Sequence, residues 1–88
     1  MGKIETTRLQ RSSVLVFFAL LRTHGEATYR GIQLAMGLET SRAARRAVRV
    51  AVIDGVARVV STGGGRGAKS VVKLTPDALE YARRIFPQ

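Results

Sequence analysis

The chain has 88 residues, with no Cys, no Trp, two Pro and nine Gly. That is one domain's worth of polypeptide, too short for a two-domain nucleotide-binding enzyme, a TIM barrel or a transporter, and it lacks the disulfides and Cys ligands that brace many small folds. Fifteen Lys and Arg against six Asp and Glu leave a net charge of +9, so the expected partner is a polyanion, nucleic acid ahead of an anionic membrane surface.

A chain of this size buries only about 60–65% of the surface its unfolded form exposes, which makes a partner subunit a reasonable expectation. The longest apolar run, Val14–Leu21, has eight residues, well short of the about 20 a membrane-spanning helix needs. Arg22, Thr23 and His24 follow it where a leader peptide would offer small residues for cleavage. A cytoplasmic, nucleoid-associated protein is expected.

Residues 1–5 carry no pattern and read as a flexible tail, with one domain over residues 6–88. Thr6 or Thr7 can cap a first helix running to about Arg22, stopped by Gly25. Its apolar residues form two faces: Val14, Phe17, Phe18 and Leu21 on one, and Leu15, Val16, Ala19 and Leu20 over much of the rest. A helix serving only its own core shows one stripe. The second face either meets another copy of the chain or is wrapped by the same domain. A homodimer is the favoured expectation, through Val14, Phe17, Phe18 and Leu21, with Leu79, Ala82, Ile85 and Phe86 contributing.

Glu26–Thr28 is a short extended link. Thr28 caps a second helix, Tyr29 to Met36, closed by Gly37 in left-handed backbone. Ile32, Leu34, Ala35 and Met36 supply its apolar side. Leu38-Glu39-Thr40 makes a turn, and Thr40 or Ser41 caps a third helix running to about Asp54, ended by Gly55. Val56–Ser61 and Ser70–Thr75 read as strands, and the glycine-rich stretch between them makes an antiparallel hairpin. Thr75-Pro76-Asp77 opens a last helix to about Phe86: a capping Thr, a Pro in the first turn and an acid at the positive end of the helix dipole.

The third helix carries the main signal. Arg42, Arg45, Arg46 and Arg49 recur at i, i+3, i+4 and i+7, which puts four guanidinium groups on one face. Ala44, Val48, Ala51 and Val52 fall opposite and can face a core, while the small Ala43 and Ala47 keep the helix slim. Such a helix fits a B-DNA major groove about 12 Å wide. Arg58, Arg66, Lys69 and Lys73 on the hairpin continue the charge. From Arg42 to Lys73 there are eight basic residues and one acidic residue, Asp54. A surface built only for solubility would intersperse both signs.

The order helix, short β segment, helix, turn, helix, hairpin, helix, carried by ATYRGIQLAMGLETSRAARRAVRVAVIDGVARVV, STGGGRGAKSVVKLT and PDALEYARRIF, resembles the winged helix-turn-helix DNA-binding domain. It is closest to small bacterial and archaeal regulators of the MarR and PadR kind. The resemblance spans about residues 6 to 86 and implies an α+β fold: a three-helix core, a two-stranded β-hairpin wing and a C-terminal helix. It implies double-stranded DNA as partner, with the third helix in the major groove and Thr40, Ser41, Arg42, Arg45 and Arg46 facing bases and phosphates. Arg42 and Arg46 are then the best base readers, and Arg49 a phosphate contact. Arg66 and Lys69 of the wing would reach the minor groove. Tyr29 and Arg30 open the second helix, whose N-terminus can bind a phosphate. The third helix departs from the pattern in being Arg-rich and poor in Asn, Gln and Ser, which points to DNA binding more directly than to base-specific reading.

Other chemistries find little support. Gly63–Ser70 reads GGGRGAKS, one residue from a phosphate loop, with Ala68 where Gly is required and a strand where a helix should follow. His24 stands alone at a helix end, and no metal or other cofactor is expected. Asp54 reads as a surface or turn residue with at most a weak pairing to Arg58. Phe17, Phe18, Tyr81 and Phe86 lie in apolar stripes and read as core or dimer contacts. No nucleophile–base set is visible, so an enzyme is not expected. A transcriptional regulator is the first expectation. An architectural or partition-type protein spreading along DNA is the alternative, and an adaptor using its apolar faces a further one.

Overall fold

In the computed structural model, residues 9–62 and 69–86 are described. The elements run α1 (Arg11–Arg22), β1 (Glu26–Thr28), α2 (Tyr29–Met36), α3 (Ser41–Ile53), β2 (Ala57–Thr62), β3 (Lys69–Leu74) and α4 (Pro76–Ile85). This is the expected α+β architecture of helical core, hairpin and C-terminal helix. The short link before α2 is more than a link. It pairs antiparallel with β3, Ala27 opposite Val72, and makes a three-stranded sheet in the order β1-β3-β2.

Capping residues set most of the helix starts. Thr28 accepts from Gly31 N–H at 3.0 Å, Thr40 from Ala43 N–H at 3.1 Å and Thr75 from Ala78 N–H at 3.2 Å, each hydroxyl satisfying an amide that has no partner within its helix. Gly37 (φ 68°) and Gly55 (φ 80°) end α2 and α3 in left-handed backbone. There Leu38 N–H reaches Gln33 C=O at 2.9 Å and Val56 N–H reaches Ala51 C=O at 2.9 Å, the closing bonds that a side chain at Cβ would strain.

The start of α1 differs from expectation. It begins at Arg11, not after Thr6 or Thr7, which lie outside the described residues, and Gln10 occupies the cap position with its side chain turned to Asp54 instead of capping the helix. The cap arrives from 44 residues away. Asp54, at the end of α3, accepts from Gln10 N–H at 3.0 Å and from the buried Ser13 hydroxyl. The first turn of α1 has no acid of its own, so Asp54 also brings the anion its positive end favours. Asp54 is therefore a clamp between two helices, not a partner for Arg58. The Ser13 hydroxyl first, then the Gln10 amide, hold its carboxyl below the ordinary value of 3.8.

The core collects Val16, Phe17, Ala19 and Leu20 of α1, Ile32 of α2, Ala44, Ala47, Val48 and Ala51 of α3, and Val56, Ala57, Val72, Leu74 and Ala78. This corrects several expected faces. Phe17 is 4% exposed and belongs to the core, where its ring meets Tyr81 at 5.8 Å. The exposed side of α1 carries Leu15 and Phe18, so the split runs across both expected faces. Val52 and Leu34, expected to point inward, are exposed, and Ala47 is buried.

The ionised Asp54 stabilises the fold at neutral pH, and that contribution is lost as pH falls below 3.8 through its lowered pKa. Asp54→Ala is expected to cost about 0.5–2 kcal/mol near neutral pH, the range of a helix cap. In urea titrations at stepped pH, the gap between parent and variant should narrow below that value.

Candidate nucleic-acid interface

The inner face of α3 is made of Ala44, Ala47, Val48 and Ala51. Small side chains there let α3 lie close against its neighbours, and the 3.6-residue repeat then turns Arg42, Arg45, Arg46 and Arg49 outward, all exposed. These four arginines line a single open groove of about 530 Å³ with Tyr29, Val48, Val52, Ile53 and Val59. Among the described residues the ion pairs are Lys73–Glu26 at 3.9 Å and Arg84–Glu80 at 3.6 Å; neither involves these arginines. The groove therefore presents a row of uncompensated positive charge that no carboxylate of the described fold neutralises.

Thr40 caps α3 and Ser41 begins it, both exposed at the end of the helix nearest Arg42. Tyr29, half-buried at the start of α2, lies under Arg45, whose guanidinium carbon is 4.6 Å from the ring centre, a cation–π distance. Arg30 follows it, exposed on α2. Lys69 begins β3 and is exposed, on the strand face opposite Val72 and Leu74. Arg66 and the rest of the expected wing tip, Gly63–Ala68, lie outside the described residues.

Charge on the hairpin is less continuous with α3 than the sequence suggests. Register places Arg58 opposite Lys73, and Lys73 opposite Glu26. Lys73 is thus spent in part on Glu26, in an exposed pair of modest strength. Three groove residues escaped the sequence reading: Val52, Ile53 and Val59. Ile53 is 73% exposed. For the two on α3 the available signal was helical phase, since positions 49, 52 and 53 share a side with the arginines; Val59, on β2, joins them only through the fold.

A separate apolar surface joins α1 and α4. Phe18, Leu21, Arg22 and Phe86 line one hollow, and Leu79, Ala82, Arg83 and Phe86 line another. Of the residues expected at a dimer contact, Phe18 is 43% exposed and Phe86 50% exposed, with Leu79 and Ile85 exposed as well. Val14, Leu21 and Ala82 are half-buried; Leu21 and Ala82 pack against the core. Phe17 is inside. Among the described residues no group of His, Asp and Glu could hold a metal ion, and no helix is long and apolar enough to cross a membrane.

The sequence matches no protein-family profile and no curated protein. The fold does have a solved counterpart. BpsR of Bordetella bronchiseptica, a protein whose DNA binding is regulated by 6-hydroxynicotinic acid, is similar with a TM-score of 0.69 over 97% of this chain, at 21% sequence identity. This chain spans 62% of that one. The likeness is one of fold.

Because the Thr40 hydroxyl holds the first turn of α3, Thr40→Ala should lower stability by about 0.5–2 kcal/mol. Urea unfolding followed by far-UV circular dichroism measures it, and Thr40→Ser should restore most of the loss.

Proposed function

We propose that this protein is a homodimeric double-stranded DNA-binding protein, a transcriptional regulator of winged helix-turn-helix type. The observation that carries this reading is the groove along α3, where Arg42, Arg45, Arg46 and Arg49 stand exposed and outside every ion pair among the described residues. Phosphate opposite such a row releases bound counterions and rewards charge that is otherwise self-repelling. Similarity of fold to a protein that binds DNA supports the same reading.

On this reading α3 enters the major groove, Thr40 and Ser41 leading, and Arg42, Arg45, Arg46 and Arg49 divide bases and phosphates among them. Tyr29 and Arg30 face the backbone from the start of α2, and Arg66 and Lys69 serve the neighbouring minor groove from the hairpin. A second copy docks on the α1–α4 surface through Phe18, Phe86, Leu79 and Ile85, with the flanks of Val14, Leu21 and Ala82. Two α3 helices then meet half-sites about 34 Å apart. Cytoplasm, at the nucleoid, is where such a protein works.

An architectural or partition-type role is the second reading. It is favoured by the same concentration of Arg on α3, since phosphate contacts are independent of sequence. A footprint separates the two: a short palindrome for a regulator, an extending footprint for a protein that coats DNA.

If about six phosphates are neutralised, log Kobs should fall with log salt at a slope near −5. Arg42→Ala combined with Arg46→Ala should raise Kd by at least tenfold at low salt and reduce the slope by about 2. A gel shift unchanged by this pair sinks the proposal, and an adaptor that works through its apolar faces would show no DNA affinity to titrate. Phe18→Glu should shift sedimentation at tens of micromolar from dimer to monomer while leaving the far-UV spectrum intact.

A further inference from the structure

We infer that Arg45 is the guanine-reading side chain of α3, and that Tyr29 is the positioning residue that holds it ready. This deepens the proposed function and rests on it. The resemblance to the winged helix-turn-helix domain implies Arg42 and Arg46 as the base readers. The side-chain geometry favours a different arginine.

All four arginines of the row are exposed, and one of them has a described side-chain partner. Arg45 sits with its guanidinium carbon 4.6 Å from the centre of the Tyr29 ring. Tyr29 is itself restrained: it is half-buried, packs against the core cluster and begins α2 one residue after the Thr28 cap. The contact therefore ties a long surface side chain to a fixed platform on another helix. An unrestrained Arg gives up rotamer freedom on being fixed. Arg45 has surrendered part of that freedom before any ligand arrives, which is how preorganisation raises affinity and sharpens selectivity.

The type of contact matters as much as its presence. An aromatic ring attracts a guanidinium through its quadrupole and supplies no oxygen acceptor. Among the described residues no carboxylate or carbonyl accepts from Arg45. Its N–H fork is left for a ligand, and a planar fork of donors matches the O6 and N7 acceptors of guanine in the major groove. Arg42, Arg46 and Arg49 flank it in the same groove without such a platform, the condition of side chains that track a phosphate lattice. The arginine row thus divides by job, one member for sequence and the others for affinity.

The test begins with selection of bound duplexes from a random pool by the parent protein, followed by competition titrations with the selected site and with copies changed one base pair at a time. Arg45→Ala should erase preference at one G·C pair, a loss of roughly 5- to 150-fold in discrimination, beyond the loss of affinity it shares with the mismatched copy. Arg45→Lys keeps the charge and the salt slope but should lose the same preference. Arg46→Ala should weaken all sequences alike. Tyr29→Leu should cut discrimination at the Arg45 position, and Tyr29→Phe, which keeps the ring face, should preserve it. Preference retained in full by Arg45→Ala overturns the inference, as does equal damage from Tyr29→Phe and Tyr29→Leu, which would put the hydroxyl to work instead of the ring. Duplex binding by the parent without any base preference overturns it while leaving DNA binding intact. Failure of the parent to bind duplex at all brings down the function proposed above as well.

Discussion

The close seating of α3 against the body of the protein governs everything outside it. Its buried face is three alanines and one valine, Ala44, Ala47, Val48 and Ala51. Such a face adds little apolar area of its own, so its contribution comes from proximity: a flat side lets larger residues of the neighbouring elements, Val16, Leu20 and Ile32, share one core cluster with it. The four arginines inherit their direction from this. A helix seated on positions 44, 47, 48 and 51 has no choice but to turn 42, 45, 46 and 49 to solvent. The cationic groove is the reverse side of a packing decision.

Asp54 fixes the end of that helix to the start of another. A carboxylate at the C-terminal end of α3 faces the negative end of that helix's dipole, an unfavourable place taken alone. The site becomes favourable because the N-terminal end of α1 lies there too, offering the Gln10 amide and the Ser13 hydroxyl. Ser13 is fully buried and would be costly without this partner. The clamp also sets the rotation of α1. With Ser13 turned inward to Asp54, helical phase carries Val16, Phe17 and Leu20 into the core and leaves Leu15 and Phe18 outside. The same phase decides which aromatic residue of α1 is core, Phe17, and which is exposed, Phe18.

These two devices explain what the sequence reveals and what it hides. Caps are local, and Thr28, Thr40 and Thr75 are legible because the hydroxyl and the amide it satisfies lie three residues apart. Gly37 and Gly55 are legible for the same reason. The arginine row is legible because a repeat of three and four residues needs only the helix to exist. The start of α1 is not, since its cap is 44 residues distant. An unbroken apolar block such as Val14–Leu21 carries no phase of its own, so the inner and outer sides of α1 become apparent only once Ser13 is placed. Pairing of β1 with β3 is hidden for a related reason: three residues, Glu-Ala-Thr, hold too little alternation to announce a strand, and the pairing is supplied by Val71, Val72 and Lys73 from far along the chain.

Val52, Ile53 and Val59 complicate the picture of a purely cationic groove. They continue the exposed side of α3 past Arg49 and onto β2, where phosphate would gain nothing from them. Apolar atoms at the C-terminal end and guanidinium groups toward the N-terminal end give the groove a gradient along its length. On the function proposed above, a duplex lying against it would find its charge neutralised chiefly by the stretch from Arg42 to Arg49. On the same reading, that polarity orients the helix: the end led by Thr40 and Ser41 faces the polyanion, while the end at Asp54 is tied to the start of α1. The exposed arginines at positions 42–46 and the clamp at position 54 thus lie toward opposite ends of the same thirteen-residue helix.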